Sequence, residues 1–315
     1  MLDRDQLQSF RNNGYLAVDG LVDAATLANV KEEYSSLLDR LYGDWFQQGL
    51  VSAAPNGLSF WEKLAACCMG GFDWFQHFDI SLPHDGIRED TPMHFGPAVF
   101  GLITNSGILD VVEQLIGPEI TSNPIQHVRI KPPGSALPKS ETRAHVTATD
   151  WHQDMGVTLE DADRTTMVTV WLAITDATVE NGCLQVAPGS RADLLPHCSR
   201  NQVSIADPFL TELEGIPVPV KAGGAVIFGP FTPHGSLPNV SNGFRWSFDL
   251  RYNVTGHPTG RSQFPEFVAR SRSSPGTELR DWRAWLRSWQ DTRTRLAVSP
   301  HMPQHRWSAD APYCA

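Results

Sequence analysis

The stretch FRWSFDLRYNV, residues 244–254, alternates between two kinds of side chain. Successive side chains of a β-strand point to opposite faces, so this alternation predicts a strand with two unlike faces. One face carries Arg245, Ser247, Asp249 and Arg251, and the other carries Trp246, Phe248, Leu250 and Tyr252. If the charged face lies inside a barrel, its arginines need anionic partners, because an unpaired buried charge is very costly.

Similar short strand patterns recur upstream of this stretch and are separated by Gly, Pro and Asn turns. They are PIQHVRIKPPG (124–134), TTMVTVWLAITDA (165–177), ENGCLQVAPGS (180–190) and VPVKAGGAVIFGP (218–230), the last of which predicts two strands around a Gly-Gly pair. Many short strands with regular turns are typical of an all-β barrel or jelly roll. The sequence therefore predicts a mainly β protein with flanking α-helices.

Amphipathic helices are predicted on both sides of the strands. Apolar residues recur at helical spacing in residues 1–14, 23–43, 57–70, 106–118 and 278–296, and three tryptophans of the last stretch form one stripe, for which core packing is expected. We expect one unit over residues 1–315. It would have N-terminal helices to about residue 120, a β core over about 121–255 and a helical tail over about 256–315.

Two short motifs carry candidate metal ligands. TDWHQDMG (149–156) contains His152 and Asp154, which would share one face if this segment is extended. Alone, a His-x-Asp motif is weak evidence for a metal site, because a hydrogen-bonded pair of side chains on the surface would explain it. GPFTPHGS (229–236) adds His234 directly after an apolar strand. Two histidines and one carboxylate on one side of an ion, with open positions opposite, are typical of non-haem Fe(II) oxygenases.

Arg245 follows His234 by 11 positions and is the candidate for binding an organic acid. The planar guanidinium suits a carboxylate held through two hydrogen bonds. Ser236, two residues after His234, can offer a hydroxyl to the same carboxylate.

Taken together, these motifs resemble the phytanoyl-CoA dioxygenase family of Fe(II)- and 2-oxoglutarate-dependent oxygenases. The resemblance rests on WHQD, on PHGS and on Arg245. It is supported by FRNNGYLAVDGLVD (10–23), IQHVRIKPPGS (125–135) and TVWLAITDATVENGCLQVAPGSR (169–191). These segments cover most of residues 5–252, whereas residues 42–104 and the tail after residue 255 match no pattern of the family.

The resemblance implies a double-stranded β-helix in which His152, Asp154 and His234 hold Fe(II). It implies that 2-oxoglutarate chelates the iron and places its far carboxylate on Arg245 and Ser236. By position, Gln126 and Trp171 would line the cosubstrate pocket. With O2, such a site would hydroxylate a C–H bond and release succinate and CO2. Because Asp154 is present, halogenation is not expected, but desaturation, epoxidation and ring formation stay open.

Composition and cysteine usage narrow the class of protein further. The net charge of −10 argues against broad binding to nucleic acid or to an anionic membrane, and no stretch shows a signal-peptide core or a membrane span. The five cysteines, Cys67, Cys68, Cys183, Cys198 and Cys314, include an adjacent pair and no CxxC spacing. An odd count without such spacing disfavours a disulfide framework and favours a reduced, cytoplasmic setting.

Two alternatives remain open at this stage. Two histidines and an aspartate also bind zinc, so a zinc-dependent hydrolase is possible, although Arg245 and Ser236 would then have no clear role. A non-catalytic jelly-roll binding protein is the second alternative. The substrate is expected to be a small or mid-sized organic molecule such as a natural-product intermediate, because no Gly-rich phosphate loop or basic cluster suits coenzyme A. The oligomeric state is not readable from the sequence.

Overall fold

The computed structural model describes residues 1–83, 85–141, 143, 146–200 and 202–314. Part of the polar loop before WHQD, at positions 142, 144 and 145, therefore lies outside the described residues, as does His84. Seven strands form the larger sheet. They are β1 (Tyr15–Val18), β2 (Glu119–Ser122), β3 (His127–Lys131), β4 (Met167–Ala173), β9 (Ala225–Phe228), β11 (Arg245–Val254) and β12 (Phe267–Ser271).

The long strand β11 organises the larger sheet, in which every pairing is antiparallel. One edge of β11 pairs with β4 along seven residues. The other edge pairs first with β3, with Arg245 opposite Lys131, and then with β2, with Tyr252 opposite Ser122. β9 joins β4 to β1, and β12 extends the sheet beyond β2.

A smaller antiparallel sheet completes the barrel and contains β5 (Leu184–Val186), β8 (Ile216–Val218) and β10 (His234–Ser236). A bridge between His152 and His234 adds the WHQD segment to the free edge of β10. A separate hairpin of β6 (His197–Ser199) and β7 (Val203–Ile205) lies beside this segment, where Ile205 N donates to Trp151 O at 2.7 Å. This two-sheet architecture is the predicted double-stranded β-helix.

Helices cover the outside of the larger sheet. They are α1 (Arg4–Asn13), α2 (Ala24–Gln47), α3 (Phe60–Gly70), α4 (Pro97–Ile103), α5 (Ser106–Ile116) and α7 (Trp282–Ala297). The short α6 (Asp207–Leu210) lies elsewhere, where Phe209 packs against Cys198 and Cys314. Asp23 caps α2 by accepting from Thr26 N, and α1 ends at Gly14, whose φ of 75° favours glycine. Two helices, α4 and α6, and the strands β2, β6, β7, β10 and β12 were not predicted from the sequence.

The apolar face of β11 packs on α2, which confirms the two-faced strand. The ring of Tyr34 lies 5.1 Å from Trp246 and 5.9 Å from Phe248, and the Tyr252 hydroxyl donates to Ile103 O at 2.7 Å. The stripe of α7 also belongs to the main core, since Trp285 and Trp289 are buried and Trp282 packs beside them. The opposite face of β11 is thereby turned into the barrel.

Residues 97–116 are long and apolar enough to resemble a membrane-spanning helix. They form two helices, however, because α4 ends at Ile103 and Asn105 begins α5 as its N-cap, accepting from Gly107 N at 2.9 Å. Val99, Leu102, Ile108 and Val112 are fully buried in the main core. The segment is therefore a pair of core helices.

The tail after α7 returns to the barrel and is joined to it by a disulfide between Cys314 and Cys198 of β6. This bond contradicts the expectation that the chain has no disulfide. The pairing could not be recognised because its partners are 116 residues apart and their approach depends on the path of the tail. The other three cysteines, Cys67, Cys68 and Cys183, are free and buried.

Candidate metal and cosubstrate site

His152 and His234 meet because they are a directly opposed pair on neighbouring strands. Each backbone amide donates to the carbonyl of the other residue at 2.9 Å. Opposed residues of an antiparallel pair project to the same face. Accordingly, the two imidazole centres are 4.2 Å apart and point into the barrel.

Backbone carbonyls orient both imidazoles for metal binding. His152 Nδ1 donates to Asp150 O at 2.9 Å, and His234 Nδ1 donates to Thr232 O at 3.0 Å. This tautomer leaves the Nε2 lone pair of each ring available to an ion. Burial and the neighbouring imidazole lower the pKa of His152 to about 3, and burial also lowers the pKa of His234. Both rings are therefore neutral ligands at neutral pH.

Asp154 completes the group from the start of a 3-10 turn, Asp154–Val157. Its Oδ1 lies 3.8 Å from His152 Nε2 and 3.9 Å from His234 Nε2. Thr169 donates to the other oxygen, Oδ2, and Arg251 forms an ion pair with Oδ1. Burial opposes ionisation, but Arg251 and the two histidines outweigh it, so the pKa of Asp154 lies below its ordinary value. The three ligand atoms lie within 4.8 Å of one another, a spacing suited to one ion.

Gln153, between the two ligands, anchors the motif to the rest of the protein. Its side chain is fully buried and bonds three backbone groups, accepting from Leu195 N and donating to Asp193 O and Phe231 O. Gln153 N donates to His197 Nε2 at 3.0 Å. A Cβ at Gly156 would lie 2.5 Å from the same ring nitrogen, so this close approach requires glycine. Neither Gln153 nor His197 was predicted as a site residue.

Arg245 lies inside the same cavity and is 1% exposed. Its Nε donates to Gly182 O, its Nη1 donates to Ser247 Oγ, and its guanidinium lies 5.1 Å from the centre of the Trp171 ring. Burial lowers its pKa only to about 10, so it remains charged. Across the described part of the chain, no carboxylate forms an ion pair with it. An anionic ligand in this cavity would compensate the cost of burying this cation.

The remaining predicted cosubstrate residues are placed differently from one another. Ser236 and Trp171 line the cavity with Arg245, and the Ser236 hydroxyl accepts from Thr149 N at 2.8 Å. Gln126 is not among the residues that line this cavity, and its amide donates to Ser122 Oγ and Asn123 O. Alternation explains this difference, since the inward positions at this strand are Ile125, His127 and Arg129.

An outer chamber of about 200 Å³ adjoins the metal cavity of about 110 Å³. The two cavities share six lining residues, which are His127, Arg129, Thr149, His152, Val157 and Arg261. Gln76, Asp79, Leu82 and Pro83 form one wall, so the segment that matched no family pattern contributes to the chamber. Gln304 and His305 bring the C-terminal tail to the same chamber, where Gln304 Nε2 donates to Pro83 O at 3.1 Å.

Comparison with known proteins agrees with this architecture. Residues 10–247 match the family model Phytanoyl-CoA dioxygenase (PhyH). A probable phytanoyl-CoA dioxygenase of Caenorhabditis elegans is 30% identical over 80% of this chain and 75% of the relative. A methylphosphonate hydroxylase of Gimesia maris is 32% identical over 73% of this chain and 86% of the relative.

Solved structures show the same fold at low sequence identity. The apo form of the non-heme monooxygenase ThoJ has a TM-score of 0.58 and 19% identity, covering 93% of this chain and 99% of its own. The epimerase SnoN, crystallised with Fe³⁺, alpha ketoglutarate and nogalamycin RO, has a TM-score of 0.53 and 21% identity, covering 81% and 86%. With the family match over residues 10–247, these findings show that the chain belongs to the phytanoyl-CoA dioxygenase family of 2-oxoglutarate-dependent oxygenases.

Proposed function

We propose that this protein hydroxylates a C–H bond of a small organic molecule with Fe(II), 2-oxoglutarate and O2. The observation that carries the proposal is a buried arginine, Arg245, in the same cavity as the two-histidine, one-aspartate group; among the described residues it has no carboxylate partner. A hydrolytic metal site needs an ion and water but not such an arginine. A 2-oxo dicarboxylate needs both, since one end chelates the ion and the other is anionic.

His152, Asp154 and His234 would hold the ion through Nε2, Oδ1 and Nε2. Thr169 bonds Oδ2 of Asp154 and Arg251 pairs with Oδ1, which has a second lone pair for the ion, so the protein supplies three ligand atoms. An ion that prefers six ligands then keeps positions for a chelating acid and for O2. Arg245 would bind the far carboxylate, with the Ser236 hydroxyl beside it and the Trp171 ring along the guanidinium face.

The proposed reaction balances as substrate C–H, O2 and 2-oxoglutarate giving substrate C–OH, succinate and CO2. The bound iron supplies the activation of O2 for this exchange. The protein's residues would orient the cosubstrate and keep the imidazoles neutral, and the substrate would enter through the outer chamber. Desaturation, epoxidation or ring formation at the same site would use the same ligands and the same cosubstrate.

The size of the two cavities favours a small or mid-sized substrate, and a natural-product intermediate is the proposed class. A relative named methylphosphonate hydroxylase and the structure of SnoN with nogalamycin RO are consistent with small molecules of different shape. A substrate screen should include acyl-coenzyme A thioesters, and a preference for them would contradict this choice.

The test is slow succinate formation by the purified protein with Fe(II), 2-oxoglutarate and ascorbate. We expect succinate to form only when O2 is present and to be abolished in His152→Ala. His301→Ala, which changes an exposed histidine outside the metal cavity, is the matched control and should retain the activity. Zinc-dependent hydrolysis without O2, or no 2-oxoglutarate turnover at all in the iron-loaded protein, would contradict the proposal.

A further inference from the structure

The charges that line the two joined cavities do not cancel. Four arginines, Arg129, Arg245, Arg251 and Arg261, face three carboxylates, Asp79, Asp154 and Asp249. A ferrous ion and a 2-oxoglutarate dianion carry equal and opposite charge, so their binding would leave the excess of one positive charge unchanged. The histidines would only add to this excess if protonated.

The local pairs identify the arginine that carries the excess. Arg129 pairs with Asp249 at 3.1 Å, and Arg251 pairs with Asp154. Asp79 contacts the imidazole of His127 at 2.8 Å. Under the proposed function Arg245 receives the far carboxylate of 2-oxoglutarate. Of the four arginines, Arg261 alone is then left without a carboxylate among the described residues.

Arg261 is 6% exposed and lines both cavities, so it lies where they join. All of its hydrogen-bond partners are neutral. Nη1 donates to Gln304 Oε1, and Nη2 donates to Gln304 O and Val157 O. These contacts anchor the tail, but they leave Nε buried without a partner. A neutral donor could make the same hydrogen bonds to the tail, so these contacts do not explain why the residue is positively charged.

A second unfilled donor belongs to Arg251, which lines the metal cavity together with Arg261. Within the described part of the chain, Nη1 of Arg251 is also buried without a partner, and the positive charge of Arg251 acts on Arg261. Two guanidiniums that repel one another and each keep an unused N–H group are stabilised when an anion binds between them. The same arrangement gives a neutral ligand no comparable advantage.

We propose that the substrate carries an anionic group, a carboxylate, phosphate or phosphonate, and that Arg261 binds this group where the metal cavity meets the outer chamber. The inference rests on the proposed oxygenase function and adds a substrate class to it. Arg261 is a specificity residue in this arrangement, because it holds the substrate by its charge and leaves the reacting C–H bond to face the ion.

The test is calorimetric titration of the protein loaded with Fe(II) and 2-oxoglutarate under anaerobic conditions. Methylphosphonate is the anionic probe, and its neutral dimethyl ester is the matched control. In Arg261→Met we expect the affinity for methylphosphonate to fall at least about tenfold, since hydrogen bonds to charged groups are among the strong ones. Arg261→Lys, which keeps the charge, should lose less.

A second variant, Arg245→Met, distinguishes the role of Arg245 from that of Arg261. Arg245→Met should lose 2-oxoglutarate affinity, whereas Arg261→Met should keep it within about twofold. Loss of 2-oxoglutarate binding in Arg261→Met would overturn the inference, because Arg261 would then hold the cosubstrate. Wild-type protein that binds the neutral ester as tightly as the anion would also overturn it, and this comparison decides the matter even if Arg261→Met does not fold. Wild-type protein that fails to bind 2-oxoglutarate would instead contradict the proposed function.

Discussion

Acidification should weaken the fold at the metal motif through one specific group, His197. Its Nδ1 donates to Leu195 O at 2.7 Å, and its Nε2 accepts from Gln153 N at 3.0 Å. Protonation of Nε2 would turn that acceptor into a donor facing an N–H group. Burial is the main reason that the pKa of His197 falls to about 4. The ordinary value of about 6.5 applies to the unfolded chain.

The sign and size of the effect follow from these two values. Between about pH 4 and pH 6.5 the unfolded chain binds the proton and the folded protein does not, so stability falls as the pH falls through this range. A pH of 5 lies roughly 1.5 units below the pKa of histidine in the unfolded chain. The free energy of unfolding should therefore be about 2 kcal/mol lower at pH 5 than at about pH 7.5. His152, whose pKa is also lowered, acts in the same direction in metal-free protein.

The assay is urea unfolding of the metal-free protein at about pH 7.5 and about pH 5, followed by tryptophan fluorescence. His197→Leu removes the titrating group while leaving His152 in place. This variant should be less stable at the higher pH because Gln153 N loses its partner. Its further loss on acidification should be smaller than that of the wild type by about 2 kcal/mol. Equal losses in both proteins would refute the reasoning, since His197 would then not be the group that responds.

Three further outcomes test other parts of the site. Arg245→Met should raise the KM for 2-oxoglutarate by roughly 10- to 100-fold with little change in iron affinity, and an unchanged KM would remove Arg245 from the cosubstrate site. Gln153→Leu should lower iron affinity by about 10- to 100-fold in a chelator competition while His301→Ala does not, and equal affinities would show that the anchor is dispensable. Thiol titration of the denatured, unreduced protein should detect the three free cysteines, Cys67, Cys68 and Cys183, and detection of all five would contradict the Cys198–Cys314 disulfide.

The sequence predicted the barrel because alternation is a local signal. The inward and outward residues of β11 follow from a period of two within one strand, and the structure confirms them at each position. His152, Asp154 and His234 could be proposed as ligands because two short motifs place them, and the structure brings all three together. Gln126 was assigned to the cavity by its position in a motif, but its neighbours Ile125 and His127 line the cavity instead. An error of one residue moves a side chain to the opposite face of a strand.

Support for the metal motif was not predictable, because it depends on contacts between distant segments. His197 reaches Gln153 only because the hairpin of β6 and β7 packs beside WHQD. Arg251 looked like one more charged residue of a strand, and its pairing with Asp154 requires the full barrel. Arg261 belongs to the region after residue 255, where no family pattern was recognised, so nothing in the sequence indicated that it enters the cavity.

The C-terminal tail links the substrate side of the cavity to the metal motif, and three of its contacts make this link. Gln304 accepts from Arg261, the indole of Trp307 donates to Gly156 O at 2.6 Å, and Cys314 is bonded to Cys198 next to His197. This disulfide closes a loop of 116 residues, which lowers the entropy of the unfolded chain and so raises the free energy of unfolding by about 5 kcal/mol. The same bond also holds the end of the tail against the barrel. Because Gln304 supplies two of the three acceptors of Arg261, the orientation of this guanidinium depends on the tail as much as on the barrel.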